Sequence, residues 1–288
     1  MPDLRCSRKE ICQNRLNPIY FRGIGCYGDG VNITFSASPH LIISPLLESN
    51  MTAYFLHPDS IRKLFDTIAP TYDFLNHLLS LRRDFYWRKM AVRELNGFEG
   101  WILDIATGTG DVAIETVYQD GPKRKVFGLD FSEPMIRRAY QKLLKKGVSQ
   151  RIALSLGDAL TLPFRGNTFT ASMMAFGLRN IVKKEQALAE MVRVVKEGGK
   201  VIILEFTFPK KGLLRTLYPF YFEKMLPWIG GLISGDREAY AYLPESVYHF
   251  RYAENYEEMM RKVGLKNVTS HPLTGGIASI ISGMKNHP

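Results

Sequence analysis

Short apolar runs alternate with amphipathic segments along the chain from about residue 59 onward. Five apolar runs predict buried strands, because parallel strands that are covered on both faces are apolar throughout. They are residues 101–106, 125–130, 151–156, 168–175 and 201–206. Helical spacing predicts helices between them, one beginning at Asp111 and another covering residues 183–196 before a glycine stop at Gly198 and Gly199. Strands that alternate with helices predict an α/β fold with a mostly parallel sheet.

The pattern extends beyond these five strands at both ends. Helical spacing within residues 57–98 predicts three helices, which we expect to form a lid over the ligand edge of the sheet. Residues 207–250 are aromatic and broken by prolines, so they predict an insertion that either covers the substrate or packs on the core. After a last helix, residues 266–271 and 276–282 are joined too tightly for a crossover helix and should pair antiparallel. The expected sheet therefore has seven strands and an antiparallel last strand.

Residues 1–56 lack this patterning. They carry all three cysteines of the chain and many glycine, proline and serine residues. The odd number and the spacing of these cysteines fit neither a disulfide framework nor a zinc site. We interpret the segment as a disordered extension or as sequence that is not translated naturally, with translation beginning at Met51. The patterned domain then occupies residues 57–288.

Composition changes this picture little. The chain has 288 residues, 45% of them hydrophobic, and its apolar runs are shorter than the roughly eighteen residues of a membrane span. A net charge of +10 invites nucleic acid or an acidic membrane as partner. The basic residues are scattered, however, and clusters such as Lys142 with Lys145 and Lys146 are typical of a solvated helix face. We therefore expect no nucleic-acid partner.

The stretch from residue 101 to 111 is the strongest candidate for a ligand site. A predicted strand ends in a turn that contains Gly108 and Gly110, and a helix follows at Asp111. This arrangement forms nucleotide sites in doubly wound sheets, since glycines allow close backbone approach. The same residues also satisfy the dinucleotide pattern that ends at Ala113. The glycines alone leave NAD open, as well as a turn that binds no ligand.

Three acids at successive strand ends favour S-adenosylmethionine. Asp104 lies inside the first strand, where it could hold the ammonium group of the ligand. Asp130 ends the second strand and suits a ribose diol, although NAD would use it equally well. Asp158 follows the third strand, where its carboxylate and a neighbouring N–H group could bind an adenine edge. Three carboxylates suit a cationic nucleoside better than a pyrophosphate, which they would repel.

Four stretches give the chain from about residue 60 a recognisable family resemblance. They are residues 65–76, 103–111, 176–180 and 234–246, and together they resemble the UbiE/MenG family of ubiquinone and menaquinone biosynthesis C-methyltransferases. The resemblance implies a class I, Rossmann-like methyltransferase fold and S-adenosylmethionine as cofactor. It carries over Thr109, Asp130, Asp158 and Ala159 as cofactor contacts. The implied reaction methylates a ring carbon of a polyprenylated hydroquinone, with demethylmenaquinol as the first choice.

Two side chains are candidates for the reacting end of the site. Arg179 follows the fourth strand, and a guanidinium there would stabilise a ring oxygen that loses its proton; the alternative is an arginine that pairs with a nearby acid. We expected Gly177 to give this loop room to move. Tyr72 belongs to the lid and could hydrogen-bond the cofactor or place its ring against the sulfonium. The alternative for Tyr72 is helix packing.

Two other functions compete with this hypothesis. A nucleic-acid methyltransferase commonly has an Asn/Asp-Pro-Pro-aromatic motif after the fourth strand, whereas this chain has Ala175 to Asn180 there. A dinucleotide-dependent oxidoreductase is the weaker alternative. The remaining expectations are a cytoplasmic protein at the inner face of the membrane, transient membrane-surface contact through a greasy substrate, a possible homo-oligomer and no metal site.

Overall fold

The computed structural model describes residues 58–119, 123–212, 214–221, 247 and 252–286. Several predictions lie outside these residues. They concern the extension at residues 1–56 with its proposed start at Met51, most of the insertion, and the fourth family stretch at residues 234–246.

Seven strands form one sheet in the order β3-β2-β1-β4-β5-β7-β6. The strands are β1 (Gly100–Ile105), β2 (Arg124–Asp130), β3 (Ile152–Leu156), β4 (Phe169–Ala175), β5 (Val195–Phe206), β6 (Lys266–Leu273) and β7 (Ala278–Met284). The first five are parallel, and β7 runs antiparallel to both of its neighbours. The predicted α/β fold with an antiparallel last strand is confirmed.

Eight α-helices accompany the sheet in the described part of the chain. They are α1 (Pro58–Ile68), α2 (Tyr72–Leu79), α3 (Arg83–Arg93), α4 (Asp111–Gln119), α5 (Glu133–Lys146), α6 (Lys184–Val194), α7 (Leu214–Phe220) and α8 (Ala253–Lys262). One buried cluster packs α3, α4 and α5 against the sheet, and a second packs α6 and α8. Helices therefore cover both faces, as the alternating pattern predicts. None of these helices is long and apolar enough to span a bilayer.

The end of helix α6 differs from the prediction. The helix ends at Val194, and strand β5 begins at once with Val195 instead of after a glycine stop. Phe169 of β4 pairs with Val195, and Ala171 then pairs with Lys200, so residues 196–199 form a bulge in β5. A Cβ atom on Gly199 would lie 2.5 Å from the Thr170 carbonyl oxygen. This glycine therefore permits close approach of two strands and does not end a helix.

The N-terminal helices divide between the core and the ligand edge. Helix α3 contributes Trp87, Ala91 and Val92 to the main core, where each is 2% exposed or less. Helices α1 and α2 form a separate buried cluster with residues that follow β5, among them Phe208 and Tyr218. Tyr221 also donates a hydrogen bond from its hydroxyl to the Leu79 carbonyl at 2.7 Å. The described part of the insertion thus packs on α2.

Candidate active site

The carboxyl ends of the parallel strands bring the three predicted acids to one edge. In the pairing of β1 with β2, Asp104 is opposite Gly128, and in that of β2 with β3, Asp130 is opposite Leu156. Asp158 follows two residues after the end of β3. Parallel strands of a doubly wound sheet form a crevice beyond their carboxyl ends. The three acids lie along this crevice.

The glycine turn is strained and tightly held. Ala106 has φ of +54°, although it is not glycine, and Gly108 and Gly110 follow with φ of +55° and +84°. Left-handed backbone is costly for a residue with a Cβ atom, and such strain concentrates at functional sites. The turn is fixed on the neighbouring strand, because the Thr107 N–H donates to the Leu129 carbonyl at 3.1 Å.

Asp104 is a buried carboxylate with only one of its two oxygens hydrogen-bonded by the described residues. Its Oδ2 accepts a 2.6 Å hydrogen bond from the Thr107 hydroxyl, whereas Oδ1 has no hydrogen-bond partner among the described residues. Burial raises the pKa of Asp104 to about 7, and the nearby charge of Asp130 acts in the same direction. A buried acid with a free oxygen gains most from a cationic partner. The ammonium group of S-adenosylmethionine fits this requirement.

Asp130 closes the turn through its two carboxylate oxygens. Oδ2 accepts from the Gly108 N–H at 2.8 Å, and Oδ1 accepts from the Ser132 N–H at 2.9 Å. Burial raises the pKa of Asp130 to about 6, although these two hydrogen bonds oppose the shift. Each oxygen retains acceptor capacity beyond its backbone donor, so ribose hydroxyls can still bind. The Ser132 hydroxyl also donates to Asp66 at 2.5 Å, a contact with α1 that the sequence analysis missed.

Asp158 and Ala159 form the open end of the crevice. The Asp158 side chain is exposed, and its Oδ1 accepts from the Leu160 N–H at 2.9 Å. The preceding Gly157 donates its N–H to the Asp130 carbonyl at 2.9 Å, which holds this turn beside the end of β2. A Cβ atom on Gly157 would lie 2.5 Å from Leu129 Cδ1. The glycine allows the turn that carries Asp158 to lie against the end of β2.

Thr109 connects the glycine turn to the first turn of α2. Its hydroxyl donates to Asp73 Oδ1 at 2.6 Å and lies 2.9 Å from Lys142 Nζ. The hydroxyl is therefore already hydrogen-bonded to protein groups. A contact between Thr109 and the cofactor stays a prediction, and the Thr109 backbone is a second group that can make it.

Lys142 corrects one prediction directly. The sequence pattern predicts a solvated helix face for this lysine, but its Nζ lies 2.5 Å from Asp73 Oδ2 and 2.8 Å from Asp111 Oδ1. Lys145 and Lys146 are exposed as expected. Lys142 differs because its Nζ reaches Asp73 and Asp111 beside the glycine turn.

A second charged cluster supports α2 from below. Arg88 is buried, pairs with Asp84, and has its NH1 atom 3.6 Å from Asp111 Oδ2. Asp84 also accepts from Ser80 at 2.7 Å and lies 2.6 Å from His77 Nδ1. Burial alone would raise the pKa of Asp84, but Arg88 and the hydrogen bonds lower it. This cluster joins helices α2, α3 and α4 beneath the site.

Tyr72 lies over the glycine turn. Its Cε1 atom is 4.0 Å from the position that a Cβ atom on Gly108 would occupy, and its ring makes an edge contact with Phe65 at 6.1 Å. Burial raises the pKa of the Tyr72 hydroxyl, whereas the charges of Arg179 and Arg88 lower it. Tyr72 is thus the side chain between the cofactor turn and the predicted reacting end.

Arg179 is buried in the short 3₁₀ turn Leu178–Asn180. Its NH1 atom lies 2.7 Å from Glu205 Oε1 and also donates to the Phe176 carbonyl. The Arg179 backbone N–H donates to the second oxygen of Glu205 at 3.1 Å. This pairing is the contact that the structural alternative predicted, and the sequence analysis did not identify Glu205 as the partner. The same geometry orients a guanidinium, so the role of Arg179 remains a prediction.

The loop that carries Arg179 is packed closely against β1. A Cβ atom on Gly177 would lie 2.8 Å from the Ala106 Cβ atom, so this glycine permits contact instead of giving the loop room to move. Phe176 has φ of +56° beside the similarly strained Ala106. The ends of adjacent strands β1 and β4 are therefore both held in unfavourable backbone conformations at the same place.

Comparison with known proteins identifies relatives over most of the chain. The model of the ubiE/COQ5 methyltransferase family matches residues 54–285. The ubiquinone/menaquinone biosynthesis C-methyltransferase UbiE of Geotalea uraniireducens is 44% identical over 79% of this chain and 97% of its own length. The demethylmenaquinone methyltransferase of Bacteroides fragilis is 37% identical over 79% of this chain and 93% of its own length.

Solved structures support the fold alone. A possible histamine N-methyltransferase from Thermotoga maritima, described as S-adenosylmethionine-dependent, matches with a TM-score of 0.55 at 20% identity, over 78% of this chain and 99% of that one. Phosphoethanolamine N-methyltransferase 2 of Haemonchus contortus, solved with S-adenosylmethionine, matches with a TM-score of 0.52 at 16% identity, over 69% of this chain and 52% of that one.

Proposed function

Because the chain belongs to the ubiE/COQ5 methyltransferase family, we propose that it methylates a ring carbon of a polyprenylated hydroquinone, demethylmenaquinol. It is an S-adenosylmethionine-dependent C-methyltransferase of quinone biosynthesis. The names of the Geotalea and Bacteroides relatives support this substrate class. The single structural observation that carries the cofactor is the buried Asp104 carboxylate beside the glycine turn, whose Oδ1 has no hydrogen-bond partner among the described residues.

Each acid of the crevice then has one partner on the cofactor. Asp104 holds the ammonium group, and Asp130 binds the ribose diol while keeping the Gly108 N–H in place. Asp158 and the Ala159 N–H group bind the adenine edge. Gly108 and Gly110 let the backbone approach the ligand, since neither position tolerates a Cβ atom without left-handed strain.

The separation of these acids from the reacting centre is chemically useful. S-adenosylmethionine supplies an electrophilic methyl group on a sulfonium, and the positive charge is lost as the methyl group leaves. Carboxylates against the sulfur would stabilise the charged ground state and slow the reaction. Asp104, Asp130 and Asp158 instead bind parts of the cofactor that keep their character throughout.

Arg179 and Tyr72 act at the ring end of the site. Arg179 stabilises the ring oxygen when its proton passes to water, which pushes electron density into the ring carbon that attacks. After the methyl group is transferred, that carbon releases its own proton to water and the ring becomes aromatic again. Glu205 holds the guanidinium in a fixed direction through the 2.7 Å ion pair. Tyr72 covers the glycine turn and excludes water from the space between its ring and that turn. Holding carbon, methyl and sulfur in line can contribute up to ~7–11 kcal/mol to the lower barrier.

Methyl transfer from labelled cofactor tests this proposal. The purified chain is incubated with S-adenosylmethionine carrying a ¹³C methyl group and with reduced demethylmenaquinone, and the extracted quinone is analysed by mass spectrometry and NMR. The label should appear on the quinone ring carbon. Its absence from the ring, or its appearance on oxygen, would contradict the proposal.

We also propose that the protein works at a membrane surface, because a polyprenyl tail keeps the substrate in the bilayer. Helix α7 supports this placement with Phe220, whose side chain is exposed. Contact with the inner face of the membrane would be transient, since aqueous S-adenosylmethionine must also enter the crevice.

A further inference from the structure

Four large apolar side chains are exposed at the junction of helices α2 and α3. Phe74 is 60% exposed, Leu78 40%, Leu81 77% and Phe85 45%. A single exposed leucine needs no explanation, but four within twelve residues do. We call this set the α2–α3 patch.

Backbone and ring contacts place the four side chains around one helix junction. Phe74 and Leu78 are one turn apart on α2 and therefore share a face. The Leu81 N–H donates to the Leu78 carbonyl at 3.0 Å, which keeps Leu81 beside the end of that helix. Phe85 lies in the first turn of α3, and its ring stacks on His77 of α2 at 4.2 Å between centroids. The patch thus bridges two helices instead of being divided between them.

The patch has a basic rim. Arg82 and Arg83 are exposed, and the Arg82 guanidinium carbon lies 5.5 Å from the centre of the Phe85 ring. The neighbouring Asp84 is buried and paired with Arg88, so its charge is turned inward. Exposed apolar residues next to arginines that form no ion pair with the described residues are the composition of a surface that binds anionic lipid.

The backbone at the centre of the patch is strained. Leu81 has φ of +51° and Arg82 has φ of +61°, two consecutive left-handed residues of which neither is glycine. The Arg82 N–H donates to the His77 carbonyl at 2.7 Å and holds this turn. The turn presents a leucine to solvent at a conformational cost, which points to a use for that leucine.

We propose that the α2–α3 patch docks the protein on an anionic bilayer surface. The proposal rests on the proposed function, since it deepens the membrane contact that a prenylated substrate requires. Helix α2 begins with Tyr72 over Gly108, so the same short helix joins the patch to the cofactor turn. Docking there brings the crevice to the level of the lipid headgroups, where the site can reach the quinol ring of the substrate.

A second copy of the chain is a poorer occupant for the same surface. In a two-fold interface each patch would face its own copy. The basic rims of the two patches would then be brought close together, which like-charge repulsion opposes. An anionic lipid surface complements both the apolar centre and the basic rim.

Vesicle partitioning of the full chain tests the proposal. Sedimentation is compared between vesicles of phosphatidylcholine alone and vesicles that also contain phosphatidylglycerol. The wild type should partition more strongly onto the anionic vesicles. Leu78→Gln/Leu81→Asn should reduce partitioning on the order of tenfold or more, because two apolar insertions are lost. Arg82→Gln/Arg83→Gln should lose roughly fivefold per charge and most of the preference for anionic lipid.

Leu144→Gln is the matched control, since Leu144 is 53% exposed on helix α5 outside the patch. It should partition like the wild type. Asparagine tolerates left-handed backbone better than leucine, so Leu81→Asn should fold normally, and equal melting temperatures verify this. The patch is not the docking surface if the Leu78/Leu81 variant binds anionic vesicles like the wild type, or if the wild type does not bind them.

Two further readouts separate this proposal from its alternatives. Methyl transfer to a short-tailed, water-soluble quinol tests the proposed function without a membrane. The Leu78/Leu81 variant should retain that rate and lose turnover only with substrate in vesicles. If the wild type binds vesicles but methylates neither substrate, the proposed function fails and the docking surface stands. If sedimentation velocity shows that the wild type is a dimer and the variant a monomer, the patch joins two copies and the lipid proposal is wrong.

Discussion

The Nζ atom of Lys142 lies 2.5 Å from Oδ2 of Asp73, so helix α5 is joined to the first turn of helix α2 across the glycine turn. The same Nζ lies 2.8 Å from Asp111 at the start of α4. Thr109 completes the set through its hydroxyl. Since Tyr72 precedes Asp73 on α2, this cluster determines how closely Tyr72 covers the cofactor turn.

Lys142→Met should loosen α2 and weaken S-adenosylmethionine binding by roughly 1–2 kcal/mol, the scale of a partly exposed, charge-assisted contact. Calorimetry gives the affinity, and hydrogen exchange of the α2 amides reports the loosening. Lys145→Met is the control, because Lys145 is exposed three residues further along the same helix. Equal affinities and equal exchange in the two variants would show that the cluster does not position the lid.

Asp104→Asn should lower the affinity for S-adenosylmethionine and raise the free energy of unfolding. The pKa of Asp104 is raised to about 7 from an ordinary 3.8, so the folded state binds this proton more tightly than the unfolded state. The free energy of unfolding therefore falls as pH rises from about 4 to about 7. The variant has no such proton and should be more stable than the wild type at about pH 8 by ~2–4 kcal/mol, with no such gain below about pH 4.

Urea denaturation of wild type and Asp104→Asn across this range measures the difference. Affinity for S-adenosylmethionine at about pH 8 should fall in the variant, because the neutral amide cannot pair with an ammonium group. Binding to the wild type near pH 6 to 7 should release a proton, which calorimetry in two buffers detects. A stability difference that stays constant with pH would contradict a buried, titrating Asp104.

Asp130→Ala should lower the affinity for S-adenosylmethionine by ~1.5–3 kcal/mol, the scale of a hydrogen bond to a charged group. Stability should also fall, since the Gly108 and Ser132 N–H groups lose their acceptor. Ser132→Ala is the matched control: it removes the helix cap, worth about 0.5–2 kcal/mol, and leaves the carboxylate. A loss of affinity in Ser132→Ala as large as in Asp130→Ala would remove the ribose role.

The sequence predicts the fold well, because each parallel strand is a near-continuous apolar run that local patterning reveals. Asp104, Asp130 and Asp158 are predictable as a group for the same reason: strand order alone brings the carboxyl ends together. The end of α6 was mispredicted, since Gly199 is required by the Thr170 carbonyl of a neighbouring strand. A local glycine signal cannot reveal which distant backbone makes that demand.

The ion-pair partners of the long charged side chains could not be predicted from the sequence. Lys142 is 69 residues from Asp73, and Arg179 pairs with Glu205 through a loop that bends sharply at Phe176. Which of several lysines on α5 reaches the glycine turn depends on how α2 packs above it. Helical position predicted a solvated face for all three lysines, and only the tertiary contact distinguishes Lys142.

Tyr72→Phe and Tyr72→Leu separate the ring of Tyr72 from its hydroxyl. If the ring lies against the sulfonium, the phenylalanine variant should keep the wild-type affinity for S-adenosylmethionine. The leucine variant should then lose about 0.5–2 kcal/mol. Equal losses in both variants would assign the contact to the hydroxyl. Unchanged affinity with a lower melting temperature in both would assign Tyr72 to helix packing.

The pair of Arg179 and Glu205 decides between a catalytic and a structural arginine. Glu205 is fully buried, so Arg179→Ala leaves a buried charge without this partner and should cost ~3–5 kcal/mol of stability. A loss of turnover in that variant alone is therefore ambiguous. The double variant Arg179→Met/Glu205→Gln removes both charges and should recover most of the stability, since the uncompensated carboxylate is gone.

Turnover in the double variant then distinguishes a catalytic from a structural role of Arg179. If Arg179 stabilises the ring oxygen, single-turnover methyl transfer should stay ~10²–10³ below wild type, as for the loss of one oxyanion donor. S-adenosylmethionine affinity should remain near the wild-type value, because Arg179 is assigned to the ring end. Arg179→Lys should rescue only part of the rate, since a point charge lacks the planar fork that Glu205 orients. Recovery of rate together with stability in the double variant would make the pair structural and leave the ring oxygen to another donor.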